Sequence, residues 1–144
     1  MFKSILFPID LNDEKSWNSA LPKAIALASQ SNALLHFVAV VPEMESSLVR
    51  PFLPDNYIDK LIKKTQAALA AFIEQNVTKD IQGESRVAKG SVAKQISKIA
   101  IELECDLIVM APFGRSLGKF FLGTNSEFVL GHTPISILVV RDGA

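Results

Sequence analysis

The sequence is poor in several features that mark particular classes of protein. A single cysteine, Cys105, excludes an intramolecular disulfide and fits a reducing compartment. That cysteine and two well-separated histidines offer no zinc-binding constellation. Basic and acidic residues balance at 15 each, so the chain has no surplus of positive charge for a nucleic-acid backbone. We therefore expect no disulfide scaffold, no zinc protein and no nucleic-acid partner.

Long hydrophobic runs are also missing. The apolar run at the start of the chain is broken by Pro8 and Asp10. It is too short for the core of a signal peptide, and far shorter than the roughly 20 apolar residues that span a bilayer. We expect a cytoplasmic protein without a membrane partner.

The chain is rich in aliphatic residues arranged in short runs. Hydrophobic residues make up 49% of the sequence and aromatic residues only 8%, so aliphatic side chains must build the core. A chain of 144 residues lies in the usual range for one domain. No linker, repeat or low-complexity tract divides it, so we predict a single domain over residues 1–144.

Apolar runs and helical patterns alternate along the chain. We predict strands at Ile5–Ile9, Leu34–Val41, Glu84–Lys89, Asp106–Ala111 and Ile135–Val140. We predict helices at about Lys15–Ser29, Asp55–Gln75, Gly90–Leu103 and Asn125–Leu130. This alternation predicts an α/β protein with an open five-stranded parallel sheet and helices on both faces, a Rossmann-like fold.

Local signals add detail to two of these helices. Pro22 lies inside the first helical pattern and should kink it or divide it in two. Asp55 is the predicted N-cap of the second helix. The preceding stretch, residues 43–54, contains Pro51 and Pro54 and is predicted to be a loop.

Two segments carry distinctive chemistry at the predicted carboxyl ends of strands, where open parallel sheets bind ligands. One is Pro8-Ile9-Asp10, after the first strand, and the other is Ala111–Ser126, after the fourth. In the second segment Gly114, Gly118 and Gly123 lack a Cβ atom, so the backbone can approach a ligand closely.

The second segment also leads into a helix through Thr124, Asn125 and Ser126. The first N–H groups of a helix lack partners and attract anions. Arg115 and Lys119 add positive charge. Ordinary turn and cap chemistry explains the same residues, and the spacing alone favours that interpretation over phosphate binding. The glycines match neither a Walker A loop nor a dinucleotide-binding fingerprint.

The whole chain resembles the universal stress protein family, whose fold is similar to that of the adenine-nucleotide α-hydrolases. The resemblance rests on KSILFPID, LLHFVAVVP, GSVAKQISKIA, DLIVMAPFG and, most specifically, LGTNSEFVLGHTPISILVVR. The family pattern after the fourth strand is G-x2-G-x9-G-[ST]. Ala111 replaces its first glycine, and eight residues instead of nine separate Gly114 from Gly123. If position 111 required a positive φ, the alanine would cost roughly 1–2 kcal/mol.

The resemblance implies a site for ATP, with Mg²⁺ as a candidate companion ion. Its implied residues fall into four groups. Adenine should meet the chain around Phe37 and Val38, and the nucleoside side should be lined by Pro8, Ile9 and Asp10, although a cap role for Asp10 stays open. Met110, Ala111 and Pro112 should lie near the ribose and phosphates. The phosphates should be held by Gly114, Arg115, Gly123, Thr124, Asn125 and Ser126.

The resemblance further implies a regulatory or stress-response protein with slow ATP hydrolysis at most, and a homodimer through the last strand, Ile135–Val140. Three alternatives stay open: a hydrolase of the α–β phosphate bond, a dimeric interaction module that needs no nucleotide, and a response regulator. No candidate catalytic base stands out, because Glu127 in a first helical turn serves the helix dipole.

The remaining chemically versatile residues have structural interpretations. We predict a hydrogen-bonded core position for His36, a structural role for His132, an inert Cys105 and a Trp17 that packs on the sheet. Three lysines, Lys60, Lys63 and Lys64, are predicted to form a solvated helix face.

Overall fold

The structure, a computed structural model, describes residues 1–41, 52, 54–112 and 124–141. Its strands are β1 (Ser4–Pro8), β2 (Leu34–Val41), β3 (Gln82–Lys89), β4 (Leu107–Met110) and β5 (Ser136–Val139). Its helices are α1 (Ala20–Ser31), α2 (Tyr57–Asn76), α3 (Val92–Glu102) and α4 (Thr124–His132). Short 3-10 helices lie at Glu14–Ser16 and Lys79–Ile81.

The strands form one parallel sheet in the order β3-β2-β1-β4-β5, which confirms the predicted fold class. The chain builds outward from β1 to β3 and then crosses back to β4, so the strand order reverses between β1 and β4. All carboxyl ends meet at one edge of the sheet. A ligand site is expected at that edge, near the reversal.

Each face of the sheet buries its own hydrophobic cluster. In β1, Ile5 and Phe7 point towards α1 and α2, whereas Leu6 points towards α3, and all three side chains are fully buried. Burial on both faces explains why the strands are continuous apolar runs. Each such side chain contributes roughly 1.5–3 kcal/mol on burial, so the strand ends are held firmly in place.

Two predicted details of the helices need correction. The first helical pattern is divided, but the break precedes Pro22: a 3-10 helix ends at Ser16 and α1 begins at Ala20. Pro22 therefore lies in the first turn of α1, where its missing N–H has no intrahelical partner to lose. The N-cap of α2 is Asn56 instead of Asp55.

Candidate functional site

A cavity of about 350 Å³ opens at the carboxyl ends of β1 and β2. This volume lies within the range of small-molecule sites, roughly 300–1,000 Å³. β1 and the turn after it contribute residues 8–12, and the end of β2 contributes residues 38–41. The cavity therefore lies at the sheet edge where the topology favours a ligand, beside the reversal of strand order.

Two helices supply the remaining described walls. α2 contributes Leu61, Lys64, Thr65 and Ala68, and α3 contributes Val92 and Ile96. The positions on α2 are three or four apart, as expected for one face of a helix. Sequence analysis missed this role. The sequence shows the three- and four-residue spacing of these positions, but that spacing does not indicate that this part of the helix faces a cavity.

The turn after β1 is organised by Asp10 and Ser16. The hydroxyl of Ser16 donates to the carbonyl of Asp10 at 2.8 Å and lies 3.0 Å from its N–H, which donates in return. Oδ1 of Asp10 accepts the N–H of Asn12 at 3.0 Å. The carboxylate thus caps the turn, and the same contact holds it at the mouth of the cavity.

The two residues predicted to recognise adenine differ in their placement. Val38 lines the cavity, and its carbonyl accepts the N–H of Ile9 at 2.9 Å. Phe37 points to the opposite face of the sheet, where its buried ring packs edge-on against Phe7 at a centroid distance of 5.7 Å. The structure thus brings Pro8, Ile9, Asp10 and Val38 together but directs the Phe37 side chain into the core.

The end of β4 lies on the other side of β1. β1 pairs with β4 as Ile5 with Leu107, and the same offset places Met110 beside Pro8. Met110 and Ala111 are buried and Pro112 is exposed, and none of the three is among the described lining residues of the cavity.

The backbone at Ala111 is unstrained. Among the described residues, the non-glycine positions with positive φ are Asn32 and Glu104. Ala111 is not one of them, so alanine in place of the family's first glycine carries no left-handed penalty here.

The first turn of α4 is tied to the end of β4. Ser126 is fully buried, and its hydroxyl donates to the carbonyl of Ala111 at 3.5 Å. The phosphate contact through the Ser126 side chain stays a prediction. Asn125 is half-buried. The predicted phosphate residues Gly114, Arg115 and Gly123, and the side chain of Thr124, lie outside the described part of the chain.

The charge inside the cavity is sparse. Among its described lining residues, Asp10 is the one anionic side chain and Lys64 the one cationic side chain. Thr65 donates its hydroxyl to the carbonyl of Leu61 at 2.8 Å, and most of the remaining lining is aliphatic. Such a site can enclose a flat apolar group and contact polar groups at its rim.

The other chemically versatile residues lie away from the cavity, in structural roles. His36 is buried and hydrogen-bonded to Ser4 Oγ at 2.9 Å, as predicted for a core histidine. The ring of His132 stacks on Phe128, and its Nδ1 lies 2.7 Å from the carbonyl of the same residue. Trp17 packs edge-on against Phe72 of α2.

Cys105 is buried at the amino-terminal edge of the sheet, and burial raises the pKa of its thiol. The thiol is therefore protonated near neutral pH, which fits the predicted inert role. Within the described ranges, no helix combines the length and the apolar character needed to cross a bilayer.

Comparison with known proteins gives one consistent result. Residues 1–141 match the Universal stress protein family. A curated protein of Thermus aquaticus, "Universal stress protein in QAH/OAS sulfhydrylase 3'region", is 30% identical over 143 residues, which cover 98% of this chain and all of the relative.

Solved structures agree on the fold. The universal stress protein UspA from Lactobacillus plantarum superposes with a TM-score of 0.73 at 21% identity, covering 96% of this chain and 97% of its own. A universal stress protein in complex with cAMP gives a TM-score of 0.60 at 18% identity, covering 97% of both chains. These likenesses show that the sheet and its helices have the arrangement found in those proteins.

Proposed function

Because this chain belongs to the universal stress protein family, we propose that it binds an adenine nucleotide, in the first place ATP, as a regulatory component of the stress response. The proposal rests mainly on one observation: the cavity at the carboxyl ends of β1 and β2. Its aliphatic walls suit a purine ring, and its position matches the ligand crevice of open α/β sheets.

The cavity suggests an orientation for the nucleotide. Adenine would lie against the end of β2, residues 38–41, with α2 on its other side. The ribose would lie at the mouth, where the Asp10 carboxylate can accept a hydrogen bond from a sugar hydroxyl. The phosphates would extend past the end of β4 towards the amino terminus of α4, whose first N–H groups favour negative charge.

A magnesium ion would be held chiefly by the nucleotide in this arrangement. Within the described residues, no group of three acidic, histidine or cysteine side chains converges. Magnesium commonly binds through substrate phosphates and only one or two carboxylates. Asp10 is the carboxylate among the described lining residues of the cavity, so it is the candidate protein ligand.

Slow hydrolysis at most is part of the proposal. The one described carboxylate of the cavity already caps the turn after β1, and the described histidines lie elsewhere. Chromatography of ATP after long incubation with the protein separates the alternatives. AMP and pyrophosphate in stoichiometric excess over protein would favour a hydrolase of the α–β bond instead.

A homodimer through β5 is proposed on separate grounds. β5 forms one edge of the sheet, and Leu138 in that strand remains 39% exposed. An uncovered apolar edge strand readily pairs with another strand. A second copy related by a two-fold axis would cover it.

Calorimetric titration with ATP, and with cAMP because a structural relative binds it, tests the nucleotide proposal. Nucleotide at 100 times its Kd should stabilise the native state by about 2.7 kcal/mol and raise the melting temperature accordingly. An unchanged melting temperature at millimolar ATP and Mg²⁺, together with no heat of binding, would refute it.

A further inference from the structure

Lys64 is the least expected member of the cavity wall. It lies on α2 between Leu61 and Ala68, at the helical spacing that directs all three to the cavity. Lys64 is exposed, as are its neighbours Lys60 and Lys63, but of the three only Lys64 is among the described lining residues. Lys64 takes part in none of the ion pairs found within the described residues. Its ammonium group is therefore available to a ligand.

Apart from Lys64, the described side chains of the α2 and α3 walls offer no free hydrogen-bond donor to a base, and the polar side chains Asp10 and Asn12 lie on the turn after β1. Val92 and Ile96 of α3 and the valines of β2 offer only apolar surface. The hydroxyl proton of Thr65 is committed to the carbonyl of Leu61. Asp10 lies at the mouth, at the ribose end of the proposed orientation. Directional recognition through side chains on the α2 side therefore falls to Lys64.

A lysine ammonium group has three donors and no acceptor. It can pair with a ring nitrogen of a purine, which accepts a hydrogen bond, but not with an exocyclic amino group. A charge-assisted hydrogen bond of this kind is stronger than a neutral one, and it would gain further strength if a base bound between the aliphatic walls displaced water from the contact.

From this geometry we infer that Lys64 is a specificity-determining residue that reads an acceptor nitrogen of the bound purine ring. This inference rests on the proposed nucleotide function, and it assigns Lys64 to the base instead of to the phosphates. Because the Lys64 side chain would make this contact, it can be tested separately from the backbone and glycine contacts at the phosphate end of the ligand.

The test compares Lys64→Met with Lys63→Met, using ATP and its 1-deaza, 3-deaza and 7-deaza analogues. Lys64→Met should weaken ATP binding about tenfold, because a hydrogen bond to a charged group is lost. One deaza analogue should bind the wild type about as weakly as ATP binds Lys64→Met. The same analogue and ATP should bind Lys64→Met equally well, because the contact is already absent. Lys63→Met should behave as the wild type in every titration.

The possible outcomes separate this inference from the function beneath it. If the wild type binds no nucleotide, both proposals fail together. If ATP binds but the two variants give the same affinity, Lys64 has no role in recognition. If Lys64→Met weakens ATP and all three analogues by the same factor, the lysine serves the charge of the phosphates and the base-reading role is wrong. Melting curves of both variants check that the fold is retained, as expected for exposed positions.

Discussion

The backbone N–H of Glu84 donates a 2.8 Å hydrogen bond to Nδ1 of His36, across the boundary between β3 and β2. Nδ1 therefore carries no proton, and the proton on Nε2 is donated to Ser4 Oγ at 2.9 Å. The pairing of β2 with β3 shifts by one residue here, so that Gly83 and Glu84 both lie opposite His36. One neutral imidazole thus connects β1, β2 and the edge strand β3.

The first prediction is a loss of stability on acidification. Burial is the main cause that lowers the pKa of His36 below its ordinary value of 6.5, with Glu84 opposing and Arg86 assisting the shift. The unfolded chain therefore binds this proton at a higher pH than the native state does. The contribution of neutral His36 to the free energy of unfolding is therefore complete above pH 6.5. It declines as the pH falls below that value and is lost once the pH passes the lowered native pKa.

Urea unfolding at several values between about pH 7 and pH 5 measures this effect. The matched variant is His36→Asn, whose side-chain oxygen can still accept from the N–H of Glu84 but does not titrate. Its free energy of unfolding should vary less steeply with pH than that of the wild type. Equal slopes would mean that other groups cause the acid sensitivity.

The second prediction concerns Gly83. A Cβ atom at this position would lie 2.6 Å from Cε1 of His36, and closer still to Nδ1, so the ring would have to move. Gly83→Ala should lower the free energy of unfolding by about 1–3 kcal/mol, in the range of overpacked sites.

Gly131→Ala is the control for Gly83→Ala. Gly131 lies in α4, and among the described residues no atom outside its own helical backbone and chain neighbours comes within 4 Å of the added Cβ, so the substitution should be neutral or stabilising by up to about 1 kcal/mol. The pair is compared by chemical denaturation. If both alanines have the same effect, close packing against His36 is not what excludes a side chain at Gly83.

A third prediction uses two exposed alanines of α2. Ala68 lines the cavity, whereas Ala70 is exposed and absent from the described lining. Ala68→Trp should fill the cavity and reduce ATP affinity by at least about tenfold, because the indole ring would occupy the space proposed for adenine. Ala70→Trp should bind as the wild type.

Calorimetry with ATP measures both tryptophan variants. Retained binding by Ala68→Trp would place the nucleotide elsewhere on the protein. Since both alanines are exposed, melting temperatures without nucleotide should stay close to that of the wild type.

The fourth prediction tests the proposed dimer. Leu138→Lys places a charge on the edge strand β5 and should shift the protein from dimer to monomer, because a buried, unpaired lysine opposes strand pairing. Leu34→Lys is the control, since Leu34 is 45% exposed and lies at the start of β2, away from that edge. Light scattering gives the mass of each. A monomeric wild type would refute the dimer.

Strand β2 shows why the sheet could be predicted so well. Its predicted and observed limits, Leu34 and Val41, coincide, because a strand buried on both faces must be apolar at nearly every position. The starts of the helices were predicted less accurately than the limits of this strand. The break before Pro22 and the N-cap at Asn56 depend on local backbone geometry for which several neighbouring residues are chemically suitable.

The candidate site was predicted only in part. Pro8, Ile9 and Asp10 could be placed because they lie at the carboxyl end of a strand that the apolar pattern identifies. Phe37 and Val38 could not be told apart, since both are apolar and only the register of β2 decides which one faces the cavity. Ser126 is predicted to contact phosphate, and the structure adds a contact that the sequence did not reveal, from its hydroxyl to the carbonyl of Ala111.

The sequence by itself determined the order of strands and helices along the chain, the parallel sheet and the end of the sheet at which a ligand is expected to bind. Period and composition are enough for that, because they state which residues must be buried. Only the tertiary structure decided that Lys64 and Ala68 face the same cavity as Asp10. Helical periodicity predicts which residues share a face of α2. The packing of α2 over the end of β2 determines which of those residues line the cavity.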